Sequence, residues 1–123
     1  MATAIPVYPA NYQSYIQLFP IADSGGIAAA SEMTFINNGI SAFFVQNLDD
    51  MTTTVTVTSV PDEAGRGGNN CDDLAVTIAA GDMTPQIVQF GPFTPSWWNQ
   101  PNGTILVAFS NTTDVSVIGI QYA

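Results

Sequence analysis

The chain contains no histidine, no lysine and a single arginine, Arg66, against ten carboxylates, which leaves a formal charge of −9. General acid–base catalysis falls most often to His, with Lys, Cys and carboxylates behind it. Here only scattered Asp and Glu, four tyrosines, one cysteine and hydroxyls are on hand. Phosphate and nucleic-acid recognition rest on Lys and Arg, so the charge opposes both and no nucleic-acid partner is expected. Cys71 is alone, which excludes an internal disulfide. A reactive thiol needs a cationic neighbour, and Arg66 is the sole candidate, so Cys71 reads as a small unreactive loop residue. Long apolar runs are also missing. None approaches the ~20 residues that span a bilayer, so no membrane partner is expected. These absences point to a structural or binding module rather than an enzyme, with no cofactor and no metal.

What the chain does have is apolar mass, with 46% of its 123 residues hydrophobic. That length is one ordinary domain, able to bury roughly 65–70% of its unfolded surface. Val, Ile, Leu and Phe are plentiful, so the signature of disorder is absent. The N-terminus, MATAIPVYPANYQ, lacks a basic start and a compact apolar stretch and is interrupted by Pro6 and Pro9, so no secretory signal is expected there. Without one, Asn102-Gly103-Thr104 and Asn111-Thr112-Thr113 read as turns rather than glycosylation sites.

The patterning is that of β-structure. TTVTVT over 53–58 places Val55 and Val57 on one face and Thr54, Thr56 and Thr58 on the other, as a half-buried strand requires. Leu74, Val76 and Ile78 alternate with Ala75, Thr77 and Ala79, and Ile105, Val107 and Phe109 repeat the pattern. The last strand, VSVIGIQY, is apolar on both faces, which predicts a central position in a sheet or a covering partner. YQSYIQLF reads as the first strand, and GGIAAASEM, the one stretch of helical composition, is expected to hold a single short turn at most.

Turn signals recur at roughly the 8–12-residue spacing of sandwiches and barrels. Asn38-Gly39 predicts a two-residue type I′ hairpin, since both central residues of that turn need positive φ. LDDM is expected to close the next hairpin, Ala80-Gly81-Asp82 to turn the following strand towards QIVQF, and SNTTD to join the last two strands. The sum is seven or eight strands with no long internal repeat. The expected fold is an antiparallel β-sandwich, jelly-roll-like, over residues 11–123, preceded by an extended N-terminal arm at 1–10.

Four features are candidate sites. The polar loop PDEAGRGGNNCDD could offer Asp62, Glu63, Asp72 and Asp73 to calcium, but its spacing fits no known loop motif and it reads as a solvated loop. Paired carboxylates can hydrolyse glycosides, yet nothing selects two from the ten, most of which lie in turns. PFTPSWWNQP is the most pointed feature. In an extended segment Trp97 and Trp98 would point opposite ways, one plugging the end of the sandwich and one facing out. They cover core, anchor a partner protein as aromatic hot spots do, or stack on sugar. The arm, with Ile5, Val7, Tyr8, Tyr12 and Tyr15, either docks on a neighbouring subunit or folds back on its own domain. The uncharged TTTVTVTS strand is an aggregation hazard at an open edge, guarded by Asp49, Asp50, Asp62 and Glu63 or covered by assembly.

From about Phe35 onward the chain resembles small proteins encoded near the major capsid protein in tailed bacteriophages. The resemblance lies in FINNGISAFFVQNLDDMTTTVTVTS, DLAVTIAAGDMTPQIVQFGPFTPSWWNQPNGTILVAFS and TTDVSVIGIQY, roughly two thirds of the chain; the first 34 residues do not share it. It implies a virion structural role: a head decoration (cement) protein on the outer surface of the capsid, made in the host cytoplasm, with the major capsid protein as partner and a homotrimer as the favoured assembly. A neck or tail component, or a carbohydrate- or receptor-binding module of a fibre or baseplate, is the alternative. The expected interface combines Ile5, Val7, Tyr8 and Tyr12 of the arm with Trp97 and Trp98.

Overall fold

Alternating side chains need two faces, and the alternation of this chain builds two sheets around one core. The computed structural model describes residues 3–9, 26–60, 73–81 and 86–122. In chain order the elements are β1 (Thr3–Ala4), β2 (Val7–Pro9), β3 (Ile27–Ala28), β4 (Glu32–Ile36), β5 (Ser41–Asn47) and β6 (Thr53–Val57), then β7 (Leu74–Ile78), β8 (Gln86–Phe90), a four-residue helix α1 (Pro95–Trp98), β9 (Thr104–Phe109) and β10 (Val115–Gln121). The protein is all-β, with two mixed sheets of five strands. One runs β1-β4-β9-β6-β7; the other runs β2-β10-β5-β8, with β3 also paired to β10. YQSYIQLF and most of the loop after Val60 lie outside the described residues.

The inward positions of both sheets meet in a single cluster that includes Met33, Phe35, Val55, Val57, Ile105 and Val107 from one sheet and Phe43, Val45, Phe90, Val115 and Val117 from the other. The TVTV strand behaves as its sequence predicts: Thr53, Val55 and Val57 are buried and Thr54 and Thr56 half-buried. The strand apolar on both faces is central, with β5 along one side and β2 and β3 along the other. Its outward residues Ile118 and Ile120 join Phe44 in a second buried cluster, so β5 and β10 are buried on both faces.

The parallel pairings depart from the antiparallel expectation, and both involve the N-terminus. Thr3 and Ala4 run parallel to β4, and Val7 to Pro9 run parallel to β10. Between them Ile5 is 4% exposed in the shared core, its N–H donating to the Thr34 carbonyl, while the Pro6 carbonyl accepts from Gly119 N–H. Residues 3–9, expected as an arm apart from the domain, are thus strands of it and join its two sheets. The physical reason is alternation: Ile5 and Val7 are apolar at strand spacing, and the core takes up both.

The turns differ most from expectation. β4 and β5 flank Asn38-Gly39 but belong to different sheets, so this is a corner between layers and not a hairpin. Gly39 has φ +87, whereas among the described residues Asp114 alone has positive φ outside glycine, so Asn38 does not adopt the type I′ geometry. LDDM likewise carries the chain from β5 across to β6 in the other sheet, and β7 to β8, β8 to β9 and β9 to β10 also cross. Among the described strands, consecutive ones pair only at β6–β7, across the long polar loop. GGIAAASEM holds β3 and the start of β4; the helical turn falls instead at Pro95–Trp98.

Candidate functional site

The strand register sends the connection β4–β5, the connection β8–β9 and the C-terminal end of β10 to one end of the molecule. Pro95 starts α1, a position suited to proline because its missing N–H lies in the unbonded first turn. Trp97 N–H donates to the Thr94 carbonyl at 3.1 Å and Asn99 N–H to the Pro95 carbonyl at 2.9 Å, which closes the turn. Adjacent residues on a helix diverge by about 100° rather than the opposition expected of an extended segment. The two tryptophans still divide their roles. Trp98 is half-buried and meets Phe93 edge-on, with ring centroids 5.4 Å apart. Phe93 in turn stacks on Phe43, which contacts Phe35 and Phe90, so a chain of rings runs from the core to this end. Trp97 remains 47% exposed.

Two asparagines brace the loop. Asn37, buried at the end of β4, donates through Nδ2 to the Phe93 carbonyl (3.1 Å) and to Asn99 Oδ1 (2.7 Å). Its Oδ1 accepts from Gly39 N–H at 3.1 Å. Asn99 Nδ2 returns a bond to the Asn37 carbonyl (3.0 Å), and Val60 N–H donates to the Trp97 carbonyl at 2.9 Å. Three carbonyls, two backbone N–H groups and two side-chain amides are therefore matched donor to acceptor, which holds Trp97 on a backbone fixed at several points.

The same end carries further exposed apolar side chains. Tyr8 pairs in register with Ile120, Tyr122 N–H donates to the Ile40 carbonyl, and Tyr8, Ile36, Ile40 and Tyr122 are all exposed. Of the expected interface residues, the register brings Tyr8 and Trp97 to the same end. Ile5 belongs to the core, Val7 packs against it, Trp98 is half-buried and Tyr12 lies outside the described residues. The sequence reading missed Ile36 and Ile40, although apolar residues flanking Asn-Asn-Gly were a visible signal. It also missed Asn37 and Asn99, whose bonds span 56 and 62 residues.

Among the described carboxylates, Glu32, Asp49, Asp50 and Asp114 lie toward the opposite end, at strand starts or in connections there. Asp73 alone is at the aromatic end, where its Oδ1 accepts from Ser59 N–H and Oγ. Asp62, Glu63 and Asp72 of the expected calcium loop are outside the described residues, and no group of three or more potential metal ligands occurs among those described. A depression of about 600 Å³ beside α1 is lined by Val60, Pro95, Ser96, Asn99, Gln100, Pro101 and Gly103, none of them charged. No helix among the described residues is long and apolar enough to cross a membrane. Compared with protein-family models, curated proteins and solved structures, the chain matches none of them.

Proposed function

We propose that this chain is a capsid decoration protein that binds the outer face of a phage head through its aromatic end and reinforces contacts between capsid subunits. The observation that carries this reading is the end surface itself. Trp97, Tyr8, Tyr122, Ile36 and Ile40 are exposed together, and Trp97 sits on a loop fixed by the Asn37–Asn99 bonds. Rigid, exposed aromatics are what protein hot spots use, because ordering them on binding costs little entropy. The net charge of −9 keeps free copies soluble and apart.

The strand order supports the fold expected for such a protein. Taken without the two N-terminal segments, the sheets reduce to β4-β9-β6-β7 and β3-β10-β5-β8, every pair antiparallel. Apart from the β6–β7 hairpin, each connection after β3 crosses between the sheets, which supports reading the fold as an eight-stranded jelly roll. The N-terminal segments then act as a strap over the open side of both sheets, closing edges that would otherwise invite pairing. A trimer is the assembly this reading favours.

Imaging of purified phage particles tests the proposal. Density for this chain over the capsid exterior, in contact through the aromatic end, is expected. Copies confined to a ring at the neck, or absent from the head, overturn it. Sugar binding is the second reading, favoured by the depression beside α1, whose lining includes the Gln100 amide. The Asn99 amide is already bonded to Asn37, however, which leaves fewer free polar groups to grip a sugar. Titration of the isolated protein with glycans separates the two, since decoration requires no sugar affinity.

A further inference from the structure

The chain has two Asn-Gly steps, Asn38-Gly39 and Asn102-Gly103, both in turns at the aromatic end. In each, the asparagine Oδ1 accepts two hydrogen bonds. Asn102 Oδ1 receives Thr104 N–H at 3.2 Å and Thr104 Oγ1 at 2.7 Å. Asn38 Oδ1 receives Ile40 N–H at 3.1 Å and Ser41 Oγ at 3.0 Å. Donors fixed on an amide oxygen stabilise the negative charge that builds there when a nucleophile attacks the carbon beside it.

We propose that Asn102-Gly103 is a site of spontaneous succinimide formation and that the fold directs this chemistry to it in preference to Asn38-Gly39. The Gly103 backbone nitrogen, losing its proton to solvent base, bonds to Cγ of Asn102, and the side-chain nitrogen departs as ammonia. Water then opens the five-membered ring. Cleavage of the new N–Cγ bond yields aspartate, and cleavage of the original peptide bond yields isoaspartate. One water is consumed, one ammonia is released and nothing is oxidised or reduced.

Because the two Oδ1 settings are alike, the selection comes from the nucleophile and its surroundings. Gly103 N–H is bonded to the Gln100 carbonyl at 2.9 Å within one turn whose Pro101 and Asn102 are exposed, so it can be freed while the Gly103 carbonyl keeps its bonds from Asn37 N–H and Asn99 Nδ2. Gly39 N–H is bonded to Oδ1 of Asn37, itself buried and tied to Phe93 and Asn99, so freeing it disturbs the whole brace. Space differs as well. A Cβ placed on Gly103 would meet nothing within 4 Å, whereas one on Gly39 would meet the Pro95 ring at 3.6 Å. Ser41, the hydroxyl donor at Asn38, is buried at 1% exposure. Asn38 and Asn102 are themselves both exposed, so the difference lies on the glycine side of each step.

The product places a carboxylate between Pro101 and Gly103, on the rim of the uncharged depression. If the aromatic end docks as proposed above, ageing of the free protein then weakens that docking; the chemistry itself does not depend on that reading.

The test ages the folded chain and a urea-unfolded sample at mildly alkaline pH and measures isoaspartate by enzymatic methyl labelling. With one arginine and no lysine, trypsin cuts after Arg66 alone and separates Asn38 from Asn102. Label several-fold higher in the C-terminal peptide than in the N-terminal one is expected from the folded chain, with near-equal label from the unfolded one. Asn102→Gln should remove most of the C-terminal label. Thr104→Val, which deletes one donor and keeps the β-branched shape, should slow labelling several-fold when folded and leave the unfolded rate unchanged. Equal label on the two folded peptides, or C-terminal label that survives Asn102→Gln, overturns the proposal. An unaltered folded rate in Thr104→Val overturns the part given to Thr104.

Discussion

Replacing Asn37 by alanine tests whether the aromatic loop is held by its buried amide. The side chain is 5% exposed and makes three hydrogen bonds, to the Phe93 carbonyl, Asn99 Oδ1 and Gly39 N–H. Each such bond contributes about 1 kcal/mol net, and a buried group left without a partner costs about 1–3 kcal/mol. Asn99 and Gly39 are half-buried and recover part of the loss by turning to water, so the expected destabilisation is about 3 kcal/mol. At about 4 °C per kcal/mol for a domain of this size, Tm falls by about 12 °C. The sharper variant is Asn37→Asp. It keeps the volume and the acceptor for Gly39 but puts a second oxygen against two acceptors, the Phe93 carbonyl and Asn99 Oδ1. A buried carboxylate facing carbonyl oxygens is worse than a gap, so this variant should lose at least as much stability as Asn37→Ala. Urea titration followed by far-UV circular dichroism gives both values, and Trp fluorescence reports whether Trp98 becomes wetter. A loss below about 1 kcal/mol for alanine, or an aspartate variant near the parent, would refute the network as drawn.

Trp97→Ala removes an exposed side chain and should change stability by no more than about 0.5 kcal/mol while abolishing co-sedimentation with heads that lack this protein; retained binding ends the role given to Trp97. Ile5→Ala should cost about 2–5 kcal/mol by opening a cavity in the shared core, read as a lower urea midpoint. Deletion of residues 1–10 should therefore destabilise the whole domain rather than release an arm, and a truncated chain with unchanged Tm would show that these strands add nothing. Gly119→Ala should lose about 1–3 kcal/mol, because its Cβ would lie 2.9 Å from Val7 Cγ2 and 3.0 Å from both a Phe35 ring carbon and the Pro6 carbonyl; a neutral result in thermal melts would contradict the close approach of β10 to the N-terminal strand.

The strands were legible in the sequence because period-two burial is written residue by residue. Val55 and Val57 point inward as their spacing predicts, and the doubly apolar β10 is central as its lack of alternation predicts. Partner choice was not legible. Asn38-Gly39 has the composition of a hairpin turn, but a dipeptide specifies only local φ and ψ. What decides the path is Asn37, whose amide finds Phe93 and Asn99 far along the chain. The Trp97-Trp98 pair departs from the extended geometry for a similar reason: Thr94-Pro95 opens a helical turn, a start signal that lies outside the aromatic pair itself.

The asparagines explain why those connections cross at all. Packed sheets lie about 10 Å apart, about twice the spacing of paired strands, so a chain stepping between them cannot satisfy its backbone groups with a hairpin ladder. Side-chain amides supply the missing donors and acceptors. At the aromatic end these are Asn37 and Asn99. At the other end Asn47, fully buried, donates to the carbonyls of Met51 and Ala79 and accepts from Asp49 N–H. Asn111 there donates to Asp49 Oδ2, and its carbonyl accepts from Thr53 Oγ1. Each of these asparagines closes or directly follows a strand or the helix, apart from Asn111, which follows β9 by one serine. An asparagine buried at a strand end, with its amide bonded to a distant segment, therefore marks a step between layers. Asn38, exposed before Gly39, sits in such a step all the same, so it is the buried neighbour Asn37 and not the Asn-Gly pair that marks the crossing.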